Sequence, residues 1–193
     1  MSGSCTAITT TVLGRLKAIG TGDNRDRVTP MVEMELVGVR VELPSNSPIV
    51  LLRESGGRRR VLPIFIGGPE ATAIAFALDG VVTPRPMTHD LMKDMLDELG
   101  GQVERIVVTD LSEKTFFAEI HVRSADGPHQ ISSRPSDAIA LAVRVGAPIF
   151  AAEEVVDEAA TVIDEEADES EGEDVVEQFR EFIDNVSPED FAS

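Results

Sequence analysis

The chain has 193 residues, 42% of them hydrophobic and 27% charged, which suits one soluble domain with extensions and a proper core. Its net charge of −18 is uneven: residues 152–193 hold 17 acids and one base, Arg180, a charge of −16, against −2 for residues 1–151. Strong acidity argues against nucleic acid as a partner, but a near-neutral body leaves that open. The single cysteine, Cys5, excludes an internal disulfide and a cysteine zinc site.

No apolar run approaches the roughly 18–20 residues of a membrane span. The N-terminus lacks a secretory pattern, because Gly14-Arg15 interrupts the short apolar stretch from Thr9 to Leu13. The expectation is a cytoplasmic protein with no membrane partner. Residues 1–30 are polar and read as a mobile extension; translation from Met31, at the edge of the first patterned segment, is the alternative.

From Met31 to Leu43 apolar and charged residues alternate, the mark of a strand with one wet face. Gly38 inside it signals a bulge or bend. Pro44 to Pro48 turns the chain into a second strand from Ile49, and Ser55-Gly56-Gly57-Arg58 turns it into a third, Arg59–Ile66. These three read as an antiparallel meander. Pro63 cannot donate to a ladder, so its strand belongs at an edge or is distorted. The basic run Arg58-Arg59-Arg60 reads as a solvated hairpin tip.

Gly68-Pro69-Glu70 opens a helix, with proline in the first turn and an early acid at the positive end of the dipole. Ala71–Leu78 continues it, and Asp79-Gly80 ends it. After a loop held by Pro84 and Pro86, Thr88 is the expected N-cap of a helix over 89–99. Leu91, Met92, Met95, Leu96 and Leu99 form its apolar face, and Gly100-Gly101 closes it. Strands follow at 102–110, 115–123 and 129–132. Pro135 starts another helix that Gly146 ends, and Pro148–Ala151 is a short last strand. Glu153–Ile163 is a candidate peripheral helix.

Asp164–Asp174 is acidic and has almost nothing to bury, so it is expected to stay disordered. Val175, Val176, Phe179, Phe182, Ile183 and Val186 recur at helical spacing and predict a C-terminal amphipathic helix. The chain thus divides into an extension (1–30), a domain (31–156), an acidic linker (157–174) and a terminal helix with its tail (175–193).

Two helices share a small-residue pattern, Ala73-Ile74-Ala75-Phe76-Ala77 and Ala138-Ile139-Ala140-Leu141-Ala142. Small side chains let helices approach closely, so these two are expected to pack together or on the sheet. Close packing would bring Glu70 and Asp137 into one neighbourhood. The candidate functional residues are therefore Glu70, His89, Asp90 and Asp137, with Arg85 and Arg134. Carboxylates with a histidine suit Mg²⁺ or Mn²⁺, and arginines clamp phosphate oxygens. The plain alternative is that the acids stabilise helix starts, by about 0.3–1 kcal/mol each, while the arginines bridge to them.

Five segments together resemble the bifunctional nuclease (BFN) domain family. They are Glu35–Val39, Leu62–Gly67, Glu70-Ala71 with Ala73-Ile74-Ala75, Arg85-Pro86-Met87-Thr88-His89-Asp90-Leu91, and Arg134–Ala142. The resemblance covers about Met31–Val156. It implies an α+β fold with a curved mixed, mainly antiparallel sheet and helices on one side, and a homo-oligomer. It also implies a nuclease that cleaves DNA and RNA with a divalent metal, Mg²⁺ or Mn²⁺. Glu70, His89, Asp90 and Asp137 would then bind metal or activate water, and Arg85 and Arg134 would contact phosphate. Many members carry an aspartate two positions before Arg134, where this chain has Ser132. The tail resembles that of actinobacterial members. The alternative reading is a non-catalytic regulatory or scaffold protein whose acidic tail recruits a partner.

Overall fold

The period-2 segments of the sequence form one sheet. The structure, a computed structural model, describes residues 30–42 and 45–162. Its strands are β1 (Met31–Glu42), β2 (Ser47–Glu54), β3 (Val61–Phe65), β4 (Gln102–Ser112), β5 (Thr115–Ser124), β6 (Gly127–Ser133) and β7 (Ile149–Ala152). The helices are α1 (Gly68–Leu78), α2 (Thr88–Glu98), α3 (Pro135–Val145) and α4 (Glu153–Ala159). The seven strands lie in the order β3-β2-β1-β7-β4-β5-β6. Neighbours are antiparallel except β4 and β7, so the sheet is mixed and the fold α+β.

The expected meander is β1-β2-β3, and its register shifts between Leu36 and Gly38, where the glycine marks a bulge. Pro63 sits in β3, an edge strand of the sheet, where a missing donor costs no ladder bond on the open side. β7 enters between β1 and β4 and joins the meander to the β4-β5-β6 hairpins.

Alternate strand residues, among them Val50, Leu52, Leu62, Ile64, Ile106, Val108, Ala118 and Ile120, share one core with Ile74 of α1, Ala138–Ala142 of α3 and Val155–Val156 of α4. Burial of that apolar surface, at roughly 25 cal/mol per Å², is what holds the layers together. The two alanine-rich helices pack against each other as expected. Gly146, with φ of 68°, ends α3 in the left-handed conformation that glycine adopts freely.

Three expectations are corrected. The N-cap of α2 is Met87 rather than Thr88, and the start is held by the N3 residue, whose Asp90 carboxylate accepts the Met87 backbone N–H at 3.0 Å. The peripheral helix stops at Ala159, and Thr161 bridges Val61 of β3. Arg60 is not solvated: it is buried and pairs with Glu54, Glu153 and Asp157. The period of β3 explains this, since Arg60, Leu62 and Ile64 share a face. The N-terminal extension, most of the acidic linker and the terminal helix lie outside the described residues.

Candidate functional site

Each of the three principal helices begins with the same device. Glu70, Asp90 and Asp137 all stand three residues after their N-caps, Gly67, Met87 and Arg134. A carboxylate there can fold back over the helix start, toward the positive end of the dipole. Glu70 and Asp137 share one cationic partner, Arg134, and Asp90 has its own, Arg144.

Glu70 turns back over Gly67. A Cβ at that glycine would lie 2.3 Å from Glu70 Oε2, so the absence of a side chain makes room for the carboxylate. Its Oε1 accepts a hydrogen bond from Arg134 Nη2 at 2.6 Å. Asp137 accepts from the same guanidinium, Nε to Oδ2 at 2.8 Å and Nη2 to Oδ1 at 3.1 Å. His89 Nε2 lies 3.1 Å from Asp137 Oδ1, and its ring is buried. The contact requires a proton on Nε2 if Asp137 is ionised. Glu70, His89, Arg134 and Asp137 therefore form one cluster, built from the starts of α1, α2 and α3.

Burial pushes the Asp137 carboxyl up, but hydrogen bonds from Arg134 and His89 together outweigh it and hold it below the usual carboxylate range. The two carboxylates raise the affinity of Arg134 for its proton. Arg134 is nonetheless 65% exposed, so the guanidinium is the part of the cluster that solvent reaches most easily.

Asp90 does not join this cluster. Its Oδ1 accepts from Arg144 Nε at 2.5 Å, its Oδ2 from the Met87 N–H, and Arg144 also donates to the Ala140 carbonyl. Burial raises its affinity for a proton, and the bonds from Arg144 and Met87 outweigh that. Adjacent helical residues diverge by about 100°, which is why His89 and Asp90 serve different partners. Arg85 lies exposed in the loop before α2 and makes no ion pair among the described residues. Ser132 pairs with Glu119 while Ser133 pairs with Ala118 of the core face. An aspartate at 132 would therefore point away from that face.

Sequence reading missed Arg144, whose signal was its place in the last turn of α3, one helical turn beyond Ala140. It also missed Lys114, at the tip of the β4-β5 hairpin. Lys114 helps to line a cleft of about 380 Å³ that also includes Arg134, Ser136 and Phe65.

Two carboxylates and an imidazole are donors of the right kind for Mg²⁺ or Mn²⁺. Their arrangement does not fit a cation. The Arg134 guanidinium already occupies Glu70 Oε1 and both Asp137 oxygens. Among the described residues no three His, Cys, Asp or Glu side chains are gathered to hold a metal ion. Nor is any described helix long and apolar enough to cross a membrane.

A family model, the bifunctional nuclease domain, matches residues 50–164, a span that contains the whole cluster. An uncharacterized protein of Mycobacterium tuberculosis is 47% identical over 165 residues, covering 83% of this chain and 98% of that protein. Bifunctional nuclease 2 of Arabidopsis thaliana is 31% identical over 112 residues, 55% of this chain and 34% of the plant protein. Bifunctional nuclease 1 of the same plant is 30% identical over 105 residues, 53% and 32% respectively. The chain thus spans about a third of these plant relatives.

Proposed function

This chain belongs to the bifunctional nuclease domain family, and we propose that it hydrolyses phosphodiester bonds in DNA and RNA. The observation that supports this reading is the convergence of Glu70 and Asp137 on one exposed arginine, with His89 bonded to Asp137 behind it. In the proposed reaction Arg134 donates from Nη1, which makes no hydrogen bond among the described residues, to the non-bridging oxygens of the scissile phosphate. It offsets the charge that grows there as water attacks phosphorus and the P–O bond to the leaving sugar oxygen breaks, that oxygen taking its proton from solvent. Asp137, oriented by His89, holds the guanidinium in place. Glu70 Oε2 accepts no hydrogen bond among the described residues and is the carboxylate free to take the proton of the attacking water. His89 is buried and is a positioning residue. Asp90 acts further out, by fixing the start of the helix that carries His89.

A divalent cation at Glu70 and Asp137 would first have to displace the guanidinium. Dependence on Mg²⁺ or Mn²⁺ is therefore an experimental question about Arg134 as much as about the carboxylates. Purified protein should cut single-stranded DNA or RNA, assayed with Mg²⁺, with Mn²⁺ and with chelator. Activity that separates from the protein on further purification would overturn the proposal.

One observation favours a second reading, a non-catalytic scaffold with an acidic tail that recruits a partner. Arg134 is satisfied by two carboxylates, as a structural clasp would be. Arg134→Ala separates the two readings. A nuclease loses cutting with little change in melting temperature, because the clasp is exposed and such pairs contribute about 0–1 kcal/mol. A non-catalytic clasp shows the same small change in melting temperature and has no cutting to lose.

A further inference from the structure

The cleft that Arg134 shares with Lys114 is formed by segments that the strand order keeps far apart. It is lined by the end of β3 with Phe65, the start of β5 with Phe116, and the start of α3. Four strands separate β3 from β5 in the sheet. The sheet must therefore curl, so that the β4-β5 hairpin leans over the end of β3. At about 380 Å³ the cleft lies in the range of ligand sites, about 300–1,000 Å³.

Its lining has two kinds of side chain. Lys114 and Arg134 are exposed cations, and Lys114 has no carboxylate partner among the described residues. Phe65 is 59% exposed, a large aromatic surface left in water. Phe116 is half-buried and packs on the core. The hairpin tip also carries strain: Glu113 and Lys114 both adopt positive φ, 50° and 64°, a turn for which Asn-Gly is the relaxed choice.

We propose that this cleft is a nucleotide-binding subsite for an unpaired strand, in which Phe65 and Phe116 present aromatic surface to a base while Lys114 and Arg134 hold the flanking phosphates. Exposed aromatic faces beside cations are how proteins hold single strands, since every base offers a π-face once it leaves its helix. A duplex keeps its base faces inside and has none to offer. The subsite rests on the nucleic-acid reading above. It goes beyond it in placing the unpaired strand in this cleft and in naming two residues, Phe65 and Lys114, that lie outside the acidic cluster.

The test is binding, kept apart from cutting. Fluorescence anisotropy of the full chain, in EDTA at low salt, compares labelled oligo(dT), oligo(U) and a mixed-sequence duplex of the same length. The single strands should bind at least tenfold tighter than the duplex. Phe65→Ala should weaken single-strand binding roughly tenfold, the order of one lost base stack, and leave the salt dependence unchanged. Phe65→Leu should weaken it equally, because the aromatic face is lost while apolar bulk remains. Lys114→Ala should weaken it several-fold and lower the salt slope by about 0.7, the value for one phosphate on a single strand. Both positions are exposed, so the variants should fold. Equal binding of duplex and single strand, wild-type binding by both variants, or no binding of any oligonucleotide would overturn the subsite. If the variants cut and bind like wild type, the subsite fails and the nuclease reading survives. If binding follows the pattern but nothing is cut, the subsite stands and the hydrolytic reading fails.

Discussion

Glu70, Asp90 and Asp137 occupy the same place in three helices, yet only two of them meet. Asp90 is held by Arg144 and the Met87 N–H, so Asp90→Asn should cost stability first. The loss of one charge-assisted hydrogen bond is about 2 kcal/mol, or roughly 4–8 °C in a protein of this size. Thermal melting checks this, and an unchanged melting temperature would refute it. Gly67→Ala makes the opposite prediction. A methyl group there presses on the carboxyl end of the flexible Glu70 side chain and otherwise meets only Pro69 at ordinary contact distance. The carboxylate should swing off Arg134, and cutting should fall at least tenfold while the melting temperature moves by no more than a few degrees. The cation question also belongs to this scale. If the guanidinium blocks a metal, Arg134→Ala should bind Mn²⁺ more tightly than wild type by calorimetry. Equal affinity would show that Arg134 is no barrier.

At the scale of elements, the Arg60 network ties β2, β3 and α4 together through Glu54, Glu153 and Asp157. Arg60→Ala leaves buried Glu54 without its main partner. The expected cost is about 2 kcal/mol, and Glu54→Met added to Arg60→Met should recover part of it, as buried pairs replaced by apolar residues often do. Urea unfolding measures both. Most of the elements were legible because their signals are local: α1 opens at Gly68-Pro69, α3 starts at Pro135 and ends before Gly146, and Gly38 marks the bulge in β1. The convergence of Glu70 with Asp137 was also legible, since two alanine-rich helices can pack closely. The sorting of His89 from Asp90 was not legible, because it depends on which way α2 faces α3. Lys114 was missed because only the curl of the sheet carries a hairpin tip to the end of β3, and no local pattern records that curl.

At the scale of the molecule, three carboxylates with depressed proton affinity govern the response to acid. Glu54 is held down first by the hydrogen bond from Arg60, against burial; Asp90 and Asp137 are held down despite burial. A carboxyl with a lower pKa in the folded state contributes stability that is present above its unfolded value and lost as pH falls through the folded one. Stability should be flat near neutrality and drop below about pH 4. Asp90→Asn and Asp137→Asn should each flatten that drop, and an acid midpoint unmoved by both would contradict the assignment. Charge acts over longer range as well. Residues 164–193 carry 13 acids and one base, and the chain leaves the described body at Thr161, paired to Val61 at the opposite end of β3 from Phe65. Removing 164–193 should raise affinity for oligo(dT) at low salt, with the difference vanishing as salt screens it. The central claim is that Glu70, His89, Arg134 and Asp137 form a phosphodiesterase centre. Its most direct test is cleavage of single-stranded DNA and RNA by Asp137→Asn beside wild type, with melting temperatures taken on the same preparations. At least a hundredfold loss of cutting is expected, with a melting temperature lowered by no more than that of Asp90→Asn and still well above the assay temperature; cutting that survives the substitution would contradict this.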